Sequence, residues 1–399
     1  VKDAPRLAPN LALGAAGDEN LAFEKGLLTA LQARQLDIDW VFAPVLDLAD
    51  TPNNPIVNAR AFAADTQTVT RLARAFISGL TQGGALNCLK HFPGHGQTET
   101  DSHLAMPVLH RTLAQLNQHE LIPFIDLFKH THGVMTGHLL LPALDPQNPA
   151  SFSPAIQTQL LKNQLGWNGC VLTDALLMRA IGDEKQAALK ALLAGSHILL
   201  AMNDPVSLLD FLHKNPVNPA IVQEACAQID TLCQQAKRLA ARSGGSLETL
   251  STFNQRAAQA ACVQTGKITL NKENKIKLLA LGDQEQRGFA VFEETLKQEG
   301  VNVVSHGADT LVLLSLSNYK SFKGHINLSE QELALARKEI KQHSQSVLVC
   351  LGSPFAALDL QQEVQSTLHA FCPLDAFQQT AAEILLGKRA AKGNLPVAL

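Results

Sequence analysis

The sequence predicts an α/β fold built as two successive units. Three observations carry that expectation. Short apolar runs alternate with amphipathic helical patterns, the alternation restarts after the Gly/Ser-rich stretch RSGGS at 242–246, and the polar exceptions sit at the carboxyl ends of the apolar runs. With 399 residues and 46% apolar content the chain can bury more than one core. Two domains are therefore expected, over 1–245 and 250–399.

In the first unit the strand candidates are DWVFAPVLDL (39–48), ALNCLKHF (85–92), GVMTGHLLL (133–141), GCVLTDALL (169–177) and HILLAM (197–202). Between them, DTQTVTRLARAFISGLTQGG (65–84) opens on a capping Asp, repeats its apolar residues at helical spacing and stops at Gly-Gly. SPAIQTQLLKNQLGWNG (153–169) follows the same grammar, so strand and crossover helix recur and the sheet should be parallel. In the second unit strands are expected at KLLALG (277–282), TLVLLSLS (310–317) and SVLVCLG (346–352), with helices near 284–299, 329–343 and 374–387. GDQEQRG (282–288) carries two glycines but no phosphate-binding G-x-G-x-x-G.

Composition excludes several classes of partner. A formal charge of -3 without a long basic run lacks the footprint of a nucleic-acid binder or a polybasic membrane contact. No apolar stretch approaches the roughly 20 residues of a membrane span. A small or neutral ligand remains. The seven cysteines form no C-x-x-C pair, and Cys88, Cys170 and Cys350 lie in apolar runs, which favours buried thiols over disulfides or a zinc site. They leave the compartment open, cytoplasmic or cell envelope. The opening VKDAPRLAPN has neither an initiator Met nor an apolar signal region, so a processed or truncated start is expected.

The polar residues at the strand tips are Asp47, then Lys90 and His91, then His138, then Asp174. Parallel strands covered by helices are usually apolar on both faces, and α/β proteins gather their chemistry at the carboxyl ends of such strands. The second tip continues into CLKHFPGHGQTETDSH (88–103), where His91, His95 and His103 share sixteen residues with Lys90 and Asp101.

KHFPGHG (90–96) followed by DSH (101–103), with FAPVLDL (42–48), NARAF (58–62), VMTGHLLLPALD (134–145) and VLTDALLMRAI (171–181), resembles glycoside hydrolase family 3. Within it the pattern is similar to the NagZ-like β-N-acetylglucosaminidase branch of two-domain type. The resemblance implies an N-terminal (β/α)8 TIM-like barrel and a smaller C-terminal α/β sandwich domain. Similar enzymes begin with further strands, so only about five of the eight barrel strands are expected in 1–240. The implied activity is retaining hydrolysis of β-linked N-acetylglucosamine from small saccharides or muropeptides, without a cofactor or metal.

Glycosidic cleavage needs a proton donor for the leaving oxygen and, in a retaining enzyme, a carboxylate that attacks the anomeric carbon. Asp174 stands where the family places its nucleophile; capping of the helical stretch after it is the structural alternative. The resemblance makes His103 the general acid/base, with Asp101 holding its ring. Lys90, His91 and His138 are expected to bond sugar hydroxyls, with Asp47 accepting and Arg60 donating. A buried Lys90–Asp47 pair, core roles for His95 and His138, a hydrolytic metal site made by His91, His95, His103 and Asp101, a noncatalytic glycan-binding module and β-glucosidase activity are the competing readings. The turn-forming Pro93-Gly94 between His91 and His95 disfavours the metal site, because ligands four apart share a face only in a helix.

Overall fold

The computed structural model describes residues 6–101, 104–178, 181–241, 250–283, 288–317 and 325–399. These form two compact units. The described parts of Val1–Leu21, Asn58–Ala64 and Glu248–Leu399 make one, and those of Ala22–Val57 and Asp65–Leu247 make the other. Two N-terminal segments thus belong with the C-terminal residues. The reason is local pairing within that unit. Helix Asn10–Ala16, with Leu11 and Leu13 fully buried, packs on helix Leu250–Ala261. The Ala8 N–H donates to Asn254 Oδ1, the Asn394 N–H to the Ala15 carbonyl and the Ala64 N–H to the Pro396 carbonyl, each at 2.9 Å.

The unit containing residues 65–241 is built on a parallel sheet ordered β1-β2-β3-β4, with β1 Cys88–Phe92, β2 Gly133–Thr136, β3 Cys170–Ala175 and β4 Ile198–Leu200. Consecutive strands are neighbours, as expected for repeated crossovers. Residues 39–48 run beside β1 and the residues before it, bridging Trp40 to Leu86 and Val45 to Lys90, with the Cys88 N–H donating to the Ala43 carbonyl and the Leu46 N–H to the Lys90 carbonyl. Helix Thr66–Gln82 starts as expected, with Asp65 accepting from the Thr68 N–H. The expected helix over 153–169 is wound as a π-helix over Ala155–Gln164.

The other unit carries a six-stranded sheet ordered β5-β10-β9-β8-β6-β7. Its strands are β5 Val263–Gly266, β6 Lys275–Leu281, β7 Asn302–Val303, β8 Thr310–Ser315, β9 Gln345–Cys350 and β10 Ser366–His369. All neighbours are parallel except β5, which runs antiparallel to β10. Every residue of β8 is buried, the mark of a central strand covered on both faces. The helices expected near 329–343 and 374–387 span Glu330–Ile340 and Asp375–Leu385; the third is described over Ala290–Gln298.

Among the described residues no helix is long and apolar enough to cross a membrane. Cys88, Cys170 and Cys350 are buried thiols outside any disulfide, and burial pushes the Cys170 thiol up to about 12.

Candidate active site

Adjacent parallel strands bring their carboxyl ends together, so β1, β2 and β3 deliver Lys90 and His91, His138 and Asp174 to one end of the sheet. Asp47 joins them from the segment bridged to β1 at Val45. Its carboxylate is fully buried and accepts three N–H groups. Oδ2 accepts from His91 Nδ1 at 2.6 Å, while Oδ1 accepts the backbone N–H of His91 at 3.2 Å and of His95 at 2.7 Å. Burial alone would raise this carboxyl, but the imidazoles of His91 and His95 and the bonds they donate outweigh it and hold the group at about 2.

This pairing fixes the state of His91. A carboxylate can only accept, so Nδ1 carries the proton, and Nε2 is left on the side of Asp174, 3.9 Å from its Oδ2. Asp174 keeps 23% of its side chain exposed and takes the Ala175 N–H on Oδ1 at 2.8 Å. Partial desolvation pushes its carboxyl up, yet His91, His138, the Ala175 N–H and the Lys90 ammonium prevail and hold it at about 2. Asp174 is therefore an ionised, partly exposed carboxylate, its charge stabilised by its imidazole neighbours, the Ala175 N–H and the Lys90 ammonium.

His138 is locked on both sides. Its Nε2 lies 3.1 Å from the Ala175 carbonyl and must donate there, which leaves Nδ1 to accept from the Ser151 hydroxyl at 2.6 Å. Burial lowers its pKa and favours this neutral form, against the pull of Asp174. The carbonyl it grips belongs to the residue after Asp174, so His138 helps set the backbone that carries the carboxylate. Lys90 is half-buried and close enough to Asp174 to stabilise its charge.

Beyond β1 the chain turns through Pro93-Gly94 and is held at each step. Gly94 has a φ of 129°, and a Cβ there would come within 2.8 Å of the Glu120 side chain. At Gly96 a Cβ would meet the Leu48 carbonyl oxygen at 2.2 Å. Thr98 Oγ1 lies 2.8 Å from His95 Nδ1, and Gln97 Nε2 donates to Asp50 Oδ2 at 2.8 Å. The loop reaches Asp101, which is buried and whose carbonyl accepts from Leu104 and Ala105. Ser102 and His103 lie outside the described residues.

The structure thus gathers Asp47, Lys90, His91, His138 and Asp174 in one unit and leads a pinned loop to Asp101. Arg60 belongs to the other unit, in the turn Asn58–Arg60, where its carbonyl accepts from Asn10. Asp47, expected to accept from a sugar hydroxyl, also accepts from His91 and His95, which take three of its carboxylate's four or so lone-pair positions. Sequence reasoning missed Asn54, Thr98 and Ser151, which hold His95 and His138 in place. Only Asn54 left a trace, as the Asn of an Asn-Pro turn signal. Among the described residues no three His, Cys, Asp or Glu side chains converge as a metal site.

The fold and this strand-end cluster define a member of a known enzyme family. Residues 1–235 match the family described as glycosyl hydrolase family 3 N terminal domain, and the chain belongs to that family. Among its relatives, the beta-hexosaminidase of Idiomarina loihiensis is 36% identical over 217 residues, 54% of this chain and 64% of that protein. The beta-hexosaminidase of Chromobacterium violaceum is 41% identical over 210 residues, 50% of this chain and 58% of that protein. The chain therefore covers about three fifths of the length of these relatives. The fold is also that of a glycoside hydrolase family 3 beta-N-acetylglucosaminidase from a Paenibacillus species, with a TM-score of 0.81 and 24% identity over 99% of this chain and 83% of that one.

Proposed function

We propose that the chain removes β-linked N-acetylglucosamine from the non-reducing end of small saccharides, muropeptides among them, by double displacement through a glycosyl-enzyme intermediate. The observation that carries this reading is the state of Asp174, an ionised, partly exposed carboxylate at the tip of β3 with His91 and Lys90 beside it. A nucleophile in such a reaction must be unprotonated, reachable from the pocket and fixed in direction. Family membership and the beta-hexosaminidase relatives support the choice of reaction and sugar.

On this reading the parallel sheet belongs to a TIM-like barrel. Asp174 attacks the anomeric carbon, and His103, held by Asp101, protonates the leaving oxygen and then takes the proton from the attacking water. Lys90 and His91 Nε2 bond the bound sugar. Asp47 acts through His91 by fixing its tautomer, and His138 acts through the Ala175 carbonyl. All catalytic groups fall within 1–245; the segment 250–399 is assigned none.

Asp174→Ala should lower kcat on 4-nitrophenyl N-acetyl-β-glucosaminide by about 10³-fold or more, since a nucleophile is not replaced by its neighbours. The matched β-glucoside, assayed on the unaltered chain, should be the poorer substrate. Retention of turnover in Asp174→Ala would remove it as nucleophile, and a preference for the glucoside would overturn the sugar assignment.

A further inference from the structure

We infer that Asn54 is a positioning residue for the loop from Pro93 to Asp101, an inference that rests on the reading of Asp101 and His103 as the acid/base pair. Asn54 is 2% exposed. Its amide nitrogen donates to the His95 carbonyl at 2.9 Å and the Gly96 carbonyl at 2.8 Å. Its amide oxygen accepts from the Ile56 and Val57 N–H groups at 2.9 and 2.8 Å. A side-chain amide has two donor hydrogens and two acceptor lone pairs, so all four positions are filled.

The two halves of the amide do different work. The oxygen closes a local turn over residues 54–57. The nitrogen crosses to a segment more than forty residues away in sequence and grips two successive carbonyls of the loop. His95 is then held at its N–H by Asp47, at its carbonyl by Asn54 and at its ring by Thr98. A buried loop of this kind would otherwise leave carbonyl groups without partners, at a cost that favours other backbone paths. Asn54 thereby selects the path that leads from β1 to Asp101, and fixes where Asp101 stands.

Asn54→Asp separates the two halves. It keeps an acceptor for Ile56 and Val57 but places an oxygen against two carbonyls, so it loosens the loop and spares the turn. Two measurements on the full chain test this, with His103→Ala alongside. Amide hydrogen exchange should accelerate in peptides covering 93–101 and stay unchanged in β2 and β3. The kcat/KM for diacetylchitobiose, whose leaving group is a sugar alcohol that needs a proton, should fall at least about 10-fold more than that for the nitrophenyl glycoside, a fraction of the ~10²–10⁴-fold of general acid catalysis. His103→Ala should show the same asymmetry, larger.

Unchanged exchange over 93–101 overturns the inference. So does an equal loss on both substrates while His103→Ala remains asymmetric. If the unaltered chain cleaves neither substrate, or His103→Ala shows no asymmetry, the catalytic reading falls, and exchange alone decides whether Asn54 holds the loop. Should Asn54→Asp raise exchange throughout β2 and β3, Asn54→Ser is read by the same two measurements.

Discussion

Asp47 is the residue on which the site's electrostatics turn. Its two oxygens take three N–H groups, so an amide in its place could meet them all only if His91 moved its proton from Nδ1 to Nε2, losing the tautomer that faces Asp174. Asp47→Asn should cost about 2–4 kcal/mol at pH 7, in the range for breaking a buried paired charge. The pH dependence has a definite sign. A carboxyl held at about 2 in the folded chain, against an ordinary 3.8, stabilises the fold above about pH 4 and loses that contribution as pH falls toward 2. Urea midpoints at pH 7, 5 and 3 should show the deficit of Asp47→Asn unchanged between pH 7 and 5 and smaller by about 1 kcal/mol at pH 3. An equal deficit at all three values would mean that the carboxylate's charge is not what matters. The residues legible in the sequence were those whose polarity clashes with an apolar strand: Asp47, Lys90, His91, His138 and Asp174. Asn54, Thr98 and Ser151 were not, because a polar residue in a polar loop shows no conflict. Their partners are backbone carbonyls and ring nitrogens that only the fold brings near.

At the level of elements, the strands with uniform apolar runs were readable and the irregular ones were not. The runs at 310–317 and 346–352 became β8 and β9, whereas β10 escaped notice because Ser366-Thr367-Leu368-His369 has one apolar residue in four, though all four are buried. The segment 39–48 has the composition of a strand, and it bonds to residues 86–90 without forming a regular strand of its own. Helix Glu19–Arg34 has no counterpart among the helices read from the sequence. Its close crossing with helix Thr66–Gln82 depends on glycines that periodicity ignores. A Cβ on Gly79 would lie 1.9 Å from the Phe23 carbonyl oxygen and 2.7 Å from the Leu27 nitrogen, and one on Gly26 would lie 2.0 Å from the Phe76 carbonyl oxygen. These are backbone atoms, which cannot swing aside. Gly79→Ala should therefore destabilise by about 1–3 kcal/mol through overpacking, outweighing the ~1 kcal/mol that alanine gains within a helix. A urea midpoint at or above that of the unaltered chain would show that the two helices can separate without loss.

At the scale of the whole molecule, the chain's order and its compact units disagree, and the disagreement is testable. The sequence divides at the Gly/Ser-rich stretch, and a catalytic fragment 1–245 would be the natural piece to express. In the structure the N-terminal residues before Leu21 pack instead with the segment after 250. Helix Asn10–Ala16 keeps Leu11, Ala12 and Leu13 fully buried, and its backbone and that of Ala8 are tied to Asn254 and Asn394. A fragment ending at 245 removes those partners and exposes two leucines, at about 1.5–3 kcal/mol for each side chain returned to water. A seven-residue helix has no stability of its own once its packing is lost. Limited proteolysis should therefore cut the fragment within residues 6–21 at enzyme concentrations that leave the same residues of the full chain intact. The fragment should also bind more of a hydrophobic dye. Equal protection of 6–21 in both would mean that this helix finds its partners within the first 245 residues, and that the contiguous division read from the sequence describes the folding units better.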